Sequence, residues 1–182
     1  MACALTAGRT EPCKEQVGGI DRVYFINFDS DGVGVTDATA TFDTGDSYVG
    51  GDKLTAVTGT PAAFEYEIKG ASSFTQNIVS DRNTGTTYFE QTLELTLKQL
   101  SAADHKELLL LARARPQIIV KDNNGNYFFC GFEHGMDVTG GTVVTGTEFG
   151  DLSGYTITLS GMERAMAPFL GSAPAAVGFT VT

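Results

Sequence analysis

The chain alternates short apolar runs with stretches rich in glycine, threonine and aspartate, which is typical of many short strands joined by turns. The run DRVYFINF at Asp21–Phe28 is dense in β-branched and aromatic residues and predicts a core strand. The run FEYEIK at Phe64–Lys69 alternates apolar and charged residues, so Glu65 and Glu67 fall on its polar face. Between these runs, the sequence predicts one or two edge strands near Ala40–Phe42 and 54–57.

The longest alternating pattern is a hairpin. Two strand-like runs, Ser72–Ser80 and Thr86–Lys98, flank the turn signal DRNTG. Alternation along the second run predicts one apolar face and one polar face, and the polar face carries Glu90 and Glu94. The apolar face carries Phe89, Gln91, Leu93, Leu95 and Leu97.

One helix is predicted over Ala102–Ala114, because Ser101 can cap its start and Pro116 stops it. At 100° per residue its four consecutive leucines fall in four quadrants, so no side of the helix is fully polar. We predict that this run contacts a second surface. Exposure of a single leucine, common on monomers, is the alternative. The four residues are Leu108, Leu109, Leu110 and Leu111.

The remaining elements are also β. QIIVKD and YFFCGF form a hairpin around NNGN, and DVTGGTVVTGTEF and GYTITLSGM predict two further strands. The whole pattern predicts a mostly β protein, a sandwich or barrel with a long hairpin and one flanking α-helix. We assign the β domain to residues 20–170, an extended arm to residues 1–19, and a loose tail to residues 171–182 with a possible strand at 177–181.

Charge and hydropathy exclude several classes of protein. The chain has 22 acidic and 12 basic residues, a net charge of -10, which is the wrong sign for gripping nucleic-acid phosphates. No stretch approaches the roughly 20 apolar residues that span a bilayer, and the first residues lack the pattern of a signal peptide. We therefore expect a soluble protein made inside the cell.

The cysteines and the loop motifs give little sign of a cofactor or metal. Cys3, Cys13 and Cys130 lack CxxC spacing, so we predict reduced thiols, with a Cys3–Cys13 bridge as the alternative. The loop DSDGVGVTD resembles a calcium loop but lacks a glutamate at the twelfth position from Asp29. We predict a solvated loop there and no cofactor.

Enzymatic chemistry has few candidates. No GxSxG, HExxH, Walker or dinucleotide motif occurs in the sequence. Of the two histidines, His105 falls in the first helical turn, while His134 has Glu133 and Asp137 nearby. That group allows a metal or acid–base cluster, but a polar turn is the favoured interpretation, and we predict that the chain is not an enzyme.

The order of elements, with the segments ELTLKQLSAADHKELLLLARARP and GDLSGYTITLSGMERAMAPFL, resembles the tail tube proteins of tailed bacteriophages over Ser72–Leu170. The resemblance implies a virion protein, made in the host cytoplasm, that forms homohexameric rings. These rings stack into a hollow tube lined by β-sheet joined between subunits. DNA passes through the lumen without specific binding, other tail proteins are partners, and no membrane is involved.

Carried onto this sequence, the resemblance implies lumen-facing carboxylates at Glu65, Glu67, Glu90 and Glu94, and inter-subunit contacts at the leucines 108–111 and at the hairpin edges. The arm would pack against the adjacent ring. The alternatives are a tail-terminator or baseplate ring protein of the same fold, or a glycan-binding β-sandwich with stacking platforms at Tyr48, Tyr88 and Tyr155.

Overall fold

The computed structural model describes residues 8–9, 11, 14–28, 35, 39–43 and 53–182. Two helices and twelve strands lie in this part of the chain, numbered in chain order. The helices are α1 (Ala102–Leu111) and α2 (Pro174–Val177). The strands are β1 (Ile20–Ile26), β2 (Ala40–Phe42), β3 (Lys53–Val57), β4 (Ala62–Glu67), β5 (Ser73–Asp81), β6 (Thr86–Lys98), β7 (Gln117–Asp122), β8 (Tyr127–Cys130), β9 (Asp137–Val144), β10 (Gly154–Glu163), β11 (Phe169–Leu170) and β12 (Thr180–Val181).

The strands form two sheets. The eight-stranded sheet has the order β12-β4-β1-β7-β8-β11-β3-β2 and curls into a half-barrel. The four-stranded sheet has the order β5-β6-β10-β9 and is antiparallel throughout. The prediction of a mostly β sandwich or barrel with a long hairpin is therefore confirmed. The predicted flanking helix is α1, and the short helix α2 was not predicted.

The eight-stranded sheet is apolar on both faces. On one face Tyr24 and Phe129 belong to a cluster inside the curl, and on the other Val23 and Ile118 belong to a second cluster. That second cluster also contains Leu93 and other inward side chains of the four-stranded sheet, so it fills the space between the sheets. Burial on both faces explains why strands such as QIIV carry continuous apolar runs.

The last residues of the chain belong to the fold. The strand β12 pairs in parallel with β4, and both Val177 and Phe179 are buried in the cluster inside the curl. Gly178 has a φ of 119°, and a Cβ added there would lie 2.4 Å from the carbonyl oxygen of Val57. Residues 171–182 are thus anchored to the fold by buried side chains, whereas the sequence predicted a loose tail. The possible strand predicted at 177–181 is present as the two-residue β12.

The described end of the N-terminal arm lies on the turn between β7 and β8. The backbone of Val17 exchanges two hydrogen bonds with the Asn124 side chain, at 2.9 and 2.8 Å. The Asn123 side chain donates to the carbonyl of Gly18 at 2.7 Å. Most of the predicted arm, with Cys3 and Cys13, lies outside the described residues, as does most of the loop that begins at Asp29. Val35 is the described residue of that loop, and it is buried, whereas the sequence predicted a solvated loop.

The predicted helix cap is present. Ser101 accepts a hydrogen bond from the backbone amide of Asp104 at 3.1 Å, and its hydroxyl donates to the Asp104 carboxylate at 2.6 Å. The helix ends at Leu111, three residues earlier than predicted, because the last turn tightens into bonds such as the one from the Ala114 amide to Leu111. No helix in the described part of the chain is long and apolar enough to cross a membrane.

Candidate assembly surface

The outer side of the four-stranded sheet is mostly polar, and we call it the polar face. It consists of side chains that alternate with the buried ones along β6 and β10, aligned by the pairing of those strands. Its central residues are Glu90, Thr92, Glu94, Thr96, Thr156, Thr158 and Ser160, in which hydroxyl groups outnumber carboxylates. Two outward residues at its ends differ in character, the amine-bearing Lys98 and the apolar Met162, which is 60% exposed.

The strand sequences explain this face. In TLELTL and YTITLS every second residue is a leucine, isoleucine or tyrosine directed into the core, so the residues between them are directed outward. On the outer side, the hydroxyl groups of Thr142 on β9 and Thr156 on β10 lie 2.5 Å apart. Gly154 has no room for a side chain, because a Cβ there would lie 2.0 Å from the carbonyl oxygen of Leu97. The alternation predicted for the second arm of the hairpin is confirmed by the burial of Gln91, Leu93 and Leu95.

Both edges of the four-stranded sheet are open. Within the described residues, β5 pairs only with β6, and β9 pairs only with β10. Each edge strand also exposes a large apolar side chain, Ile78 on β5 and Val143 on β9. An open edge presents unpaired backbone N–H and C=O groups, so these strands can pair with another chain.

The four predicted lumen carboxylates lie in two different places. Glu90 and Glu94 are on the polar face, opposite Met162 and Thr158 of β10. Glu65 and Glu67 are on β4 of the other sheet, where Glu65 lies opposite Tyr24 and is paired with Arg22. Tyr24 faces the inside of the curl, away from the four-stranded sheet. The two pairs of glutamates therefore point away from each other.

The four leucines of α1 divide into two pairs. Leu108 and Leu111 pack against the cluster between the sheets. Leu109 and Leu110 are 52% and 51% exposed. Two leucines are therefore exposed in the isolated chain, one more than in the alternative of a single exposed leucine.

The tyrosines proposed as glycan platforms do not form a common surface. Tyr155 is only 3% exposed, its hydroxyl donates to the carbonyl of Ser101 at 3.3 Å, and its ring lies beside His105. It cannot stack on a ligand, because the alternation of β10 directs it inward. Tyr88 is partly exposed on the hairpin, and Tyr48 lies outside the described residues.

A polar cluster lies where the turn after β8 meets the end of β10. Two of its members, Glu133 and His134, were candidates from the sequence. His134 lies beside Glu163, and Glu133 is nearby, whereas Asp137 pairs with Arg115 instead. Burial raises the pKa of Glu163, although hydrogen bonds from His134 act against this rise. Glu163 was missed because it is far from His134 in sequence. Glu163 could have been noticed in the sequence, because it is a charged residue at a position of β10 that alternation directs inward.

Comparison with protein-family models, with curated proteins and with solved structures found no match to this chain. The assignment of a function therefore depends on the surfaces described above.

Proposed function

We propose that the chain is a structural subunit of a phage tail tube, which assembles into stacked hexameric rings around a channel for DNA. The observation that carries the proposal is the four-stranded sheet, which is open at both edges and uncovered on its polar face. The resemblance of the segment Ser72–Leu170 to tail tube proteins supplies the kind of assembly. No catalytic role is included in the proposal.

The open edges suit a ring. When β5 of one copy pairs with β9 of the next, each edge is satisfied and the sheet continues around the ring. Such a heterologous contact, in which two different surfaces meet, closes into a ring when the rotation per copy divides a full turn. The exposed side chains of Ile78 and Val143 would be covered at this junction.

The polar face suits the wall of the channel. Glu90 and Glu94 would repeat with the ring symmetry and repel phosphate groups, while the threonine hydroxyls offer only weak, neutral contacts. The net charge of -10 acts in the same direction. Glu65 and Glu67 cannot line the same wall, since their face points away from the polar face. The proposal therefore retains only Glu90 and Glu94 as lumen residues.

Electron microscopy of purified protein tests the proposal. We expect the unmodified chain to form long tubes, and a charge on either open edge, Ile78→Lys or Val143→Lys, to prevent their growth. Matched controls are Ile78→Thr and Val143→Thr, which remove the apolar side chain but keep a strand-forming residue without charge. The controls should still form tubes.

Other outcomes would contradict the tube. Single rings that never stack would favour the terminator or baseplate alternative. A stable monomer under all conditions, also in mature particles, would reject the assembly altogether. A second test uses particles that carry Glu90→Lys and Glu94→Lys together, for which we expect impaired DNA ejection. Normal ejection would remove both residues from the lumen.

A further inference from the structure

We propose that Glu163, His134 and Glu133 form a binding site for one divalent metal ion of the class of zinc. The inference is independent of the proposed assembly. It rests on the geometry of the cluster at the turn after β8. One ligand atom from each of the three side chains can be chosen so that all lie within 4.8 Å of one another.

Glu163 is held in place by the backbone. Its Oε1 accepts hydrogen bonds from the amides of Glu133 and His134, at 3.2 and 2.9 Å. These two bonds fix the carboxylate beneath the turn and leave Oε2 directed toward the imidazole. A ligand whose position is fixed in this way loses little freedom when it binds an ion.

The distance between the first two ligand atoms fits tetrahedral coordination. Glu163 Oε2 and His134 Nδ1 are 3.2 Å apart. In a tetrahedral zinc site with bonds of about 2.0–2.1 Å, two ligand atoms lie about 3.3 Å from each other. A nitrogen ligand beside carboxylate oxygens favours zinc or a similar transition metal over magnesium or calcium, which prefer oxygen alone.

The carboxylate of Glu163 is the most deeply buried ligand of the cluster, because its side chain is only 1% exposed. Arg164 pairs with Glu133, at 2.5 Å from Glu133 Oε1. A buried carboxylate needs a partner that compensates its charge, and a cation bound at Oε2 and Nδ1 would provide one.

A buried amide group lies next to the same turn. The Oε1 of Gln91 accepts a hydrogen bond from the amide of Gly131, the first residue of the turn, at 2.9 Å. The Nε2 of the same side chain is buried and has no hydrogen-bond partner. A water molecule bound between the turn and the ion would give this donor an acceptor. Access from solvent runs past His134, whose side chain is 59% exposed.

The test is a titration of chelator-treated protein with zinc, followed by calorimetry, and with cobalt, followed by its visible absorption. We expect one ion per chain. His134→Ala should weaken binding at least about tenfold, the smallest loss usual for groups that support a metal site. Glu133→Gln should weaken it less, because Arg164 already occupies one of its oxygens. The matched control is His105→Ala, which removes the other histidine and should bind normally.

Three results would overturn the site. One is the absence of binding at one equivalent of zinc in the unmodified chain. Another is equal affinity in His134→Ala and His105→Ala. The last is a cobalt spectrum with thiolate charge-transfer bands, which would assign the ion to cysteines. Because His134 is exposed, its replacement should leave the fold intact, and far-ultraviolet circular dichroism checks this. His134→Asn provides a second variant if the alanine variant does not fold.

Discussion

The two sheets of this protein use similar side chains in different ways. The eight-stranded sheet is covered on both faces by apolar clusters, and its central strands are continuous runs of isoleucine, valine and aromatic residues. The four-stranded sheet is covered on one face only, and its central strands β6 and β10 alternate between apolar inward and polar outward residues. The eight-stranded sheet is therefore apolar on both faces, and the four-stranded sheet is apolar on its inner face and mostly polar on its outer face.

The edge strands of the two sheets also differ in length. In the eight-stranded sheet the edge strands β2 and β12 are three and two residues long. In the four-stranded sheet β5 and β9 are nine and eight residues long. Short edges limit pairing with other chains, whereas long ones permit it. Under the proposed function, the eight-stranded sheet would supply most of the folding stability and the four-stranded sheet the contacts between copies.

The largest expected effect is the loss of a core aromatic ring from the eight-stranded sheet. Phe129 is fully buried and its ring contacts those of Phe132 and Phe179. We expect Phe129→Ala to lower the free energy of unfolding by about 3–5 kcal/mol, measured by urea denaturation. Thr158→Ala on the polar face is the control, with a change of less than about 0.5 kcal/mol. Equal costs at the two positions would contradict the division between the sheets.

A buried amide provides the next effect. Gln117 accepts a hydrogen bond from the amide of Val35 at 2.8 Å and donates to the carbonyls of Val35 and Phe132 at 2.7 and 2.8 Å. Gln117→Ala removes all three of these buried hydrogen bonds, so we expect a loss of about 1–3 kcal/mol in the free energy of unfolding. Gln16→Ala, at an exposed position of the arm, should have no measurable effect. If Gln117→Ala does not change the free energy of unfolding, these three hydrogen bonds add nothing to the stability of the protein.

A smaller effect depends on pH. Burial raises the pKa of Asp122, but hydrogen bonds from Asn126 and Asn124 outweigh it, and the pKa lies below its ordinary value. The carboxylate therefore stabilises the folded chain above the pKa of the unfolded state, about 3.9, and this contribution is lost as pH falls through the lower folded value. Asp122→Asn should be less stable than the unmodified chain at pH 7 and approach it near pH 2. If the difference in the free energy of unfolding between the two proteins does not change with pH, the effect of Asp122→Asn comes from packing and not from the charge of Asp122.

The smallest effect on stability is expected on the polar face. Glu94→Lys and Glu90→Lys change exposed or half-buried charges on the surface of the four-stranded sheet, so the free energy of unfolding should change by less than about 0.5 kcal/mol. Urea denaturation of the isolated chain measures this directly. A loss above 1 kcal/mol would mean that these carboxylates serve the fold rather than the channel.

Local sequence signals were sufficient to predict most of the helices and strands. Strict alternation in TLELTLK, the Ser101 cap and the Asn-Gly turn are local signals, because side-chain direction in a strand and capping of a helix depend on neighbouring residues. These signals were enough to assign β6, α1 and the β7–β8 hairpin, and to place Glu90 and Glu94 on a polar face. They also separated Glu65 from Tyr66 onto opposite faces of the strand predicted at Phe64–Lys69, which is β4 and ends at Glu67.

Which strand faces point in the same direction depends on the pairing of strands that are distant in sequence. Glu65 and Glu94 are equivalent in local pattern, but pairing with Tyr24 turns the first into the curl of one sheet and pairing with Thr158 turns the second to the outside of the other. Likewise, Glu163 meets His134 through the approach of β10 to the turn after β8, which no local spacing specifies. Sheet order joins residues that are distant in sequence, and alternation within one strand carries no information about that order.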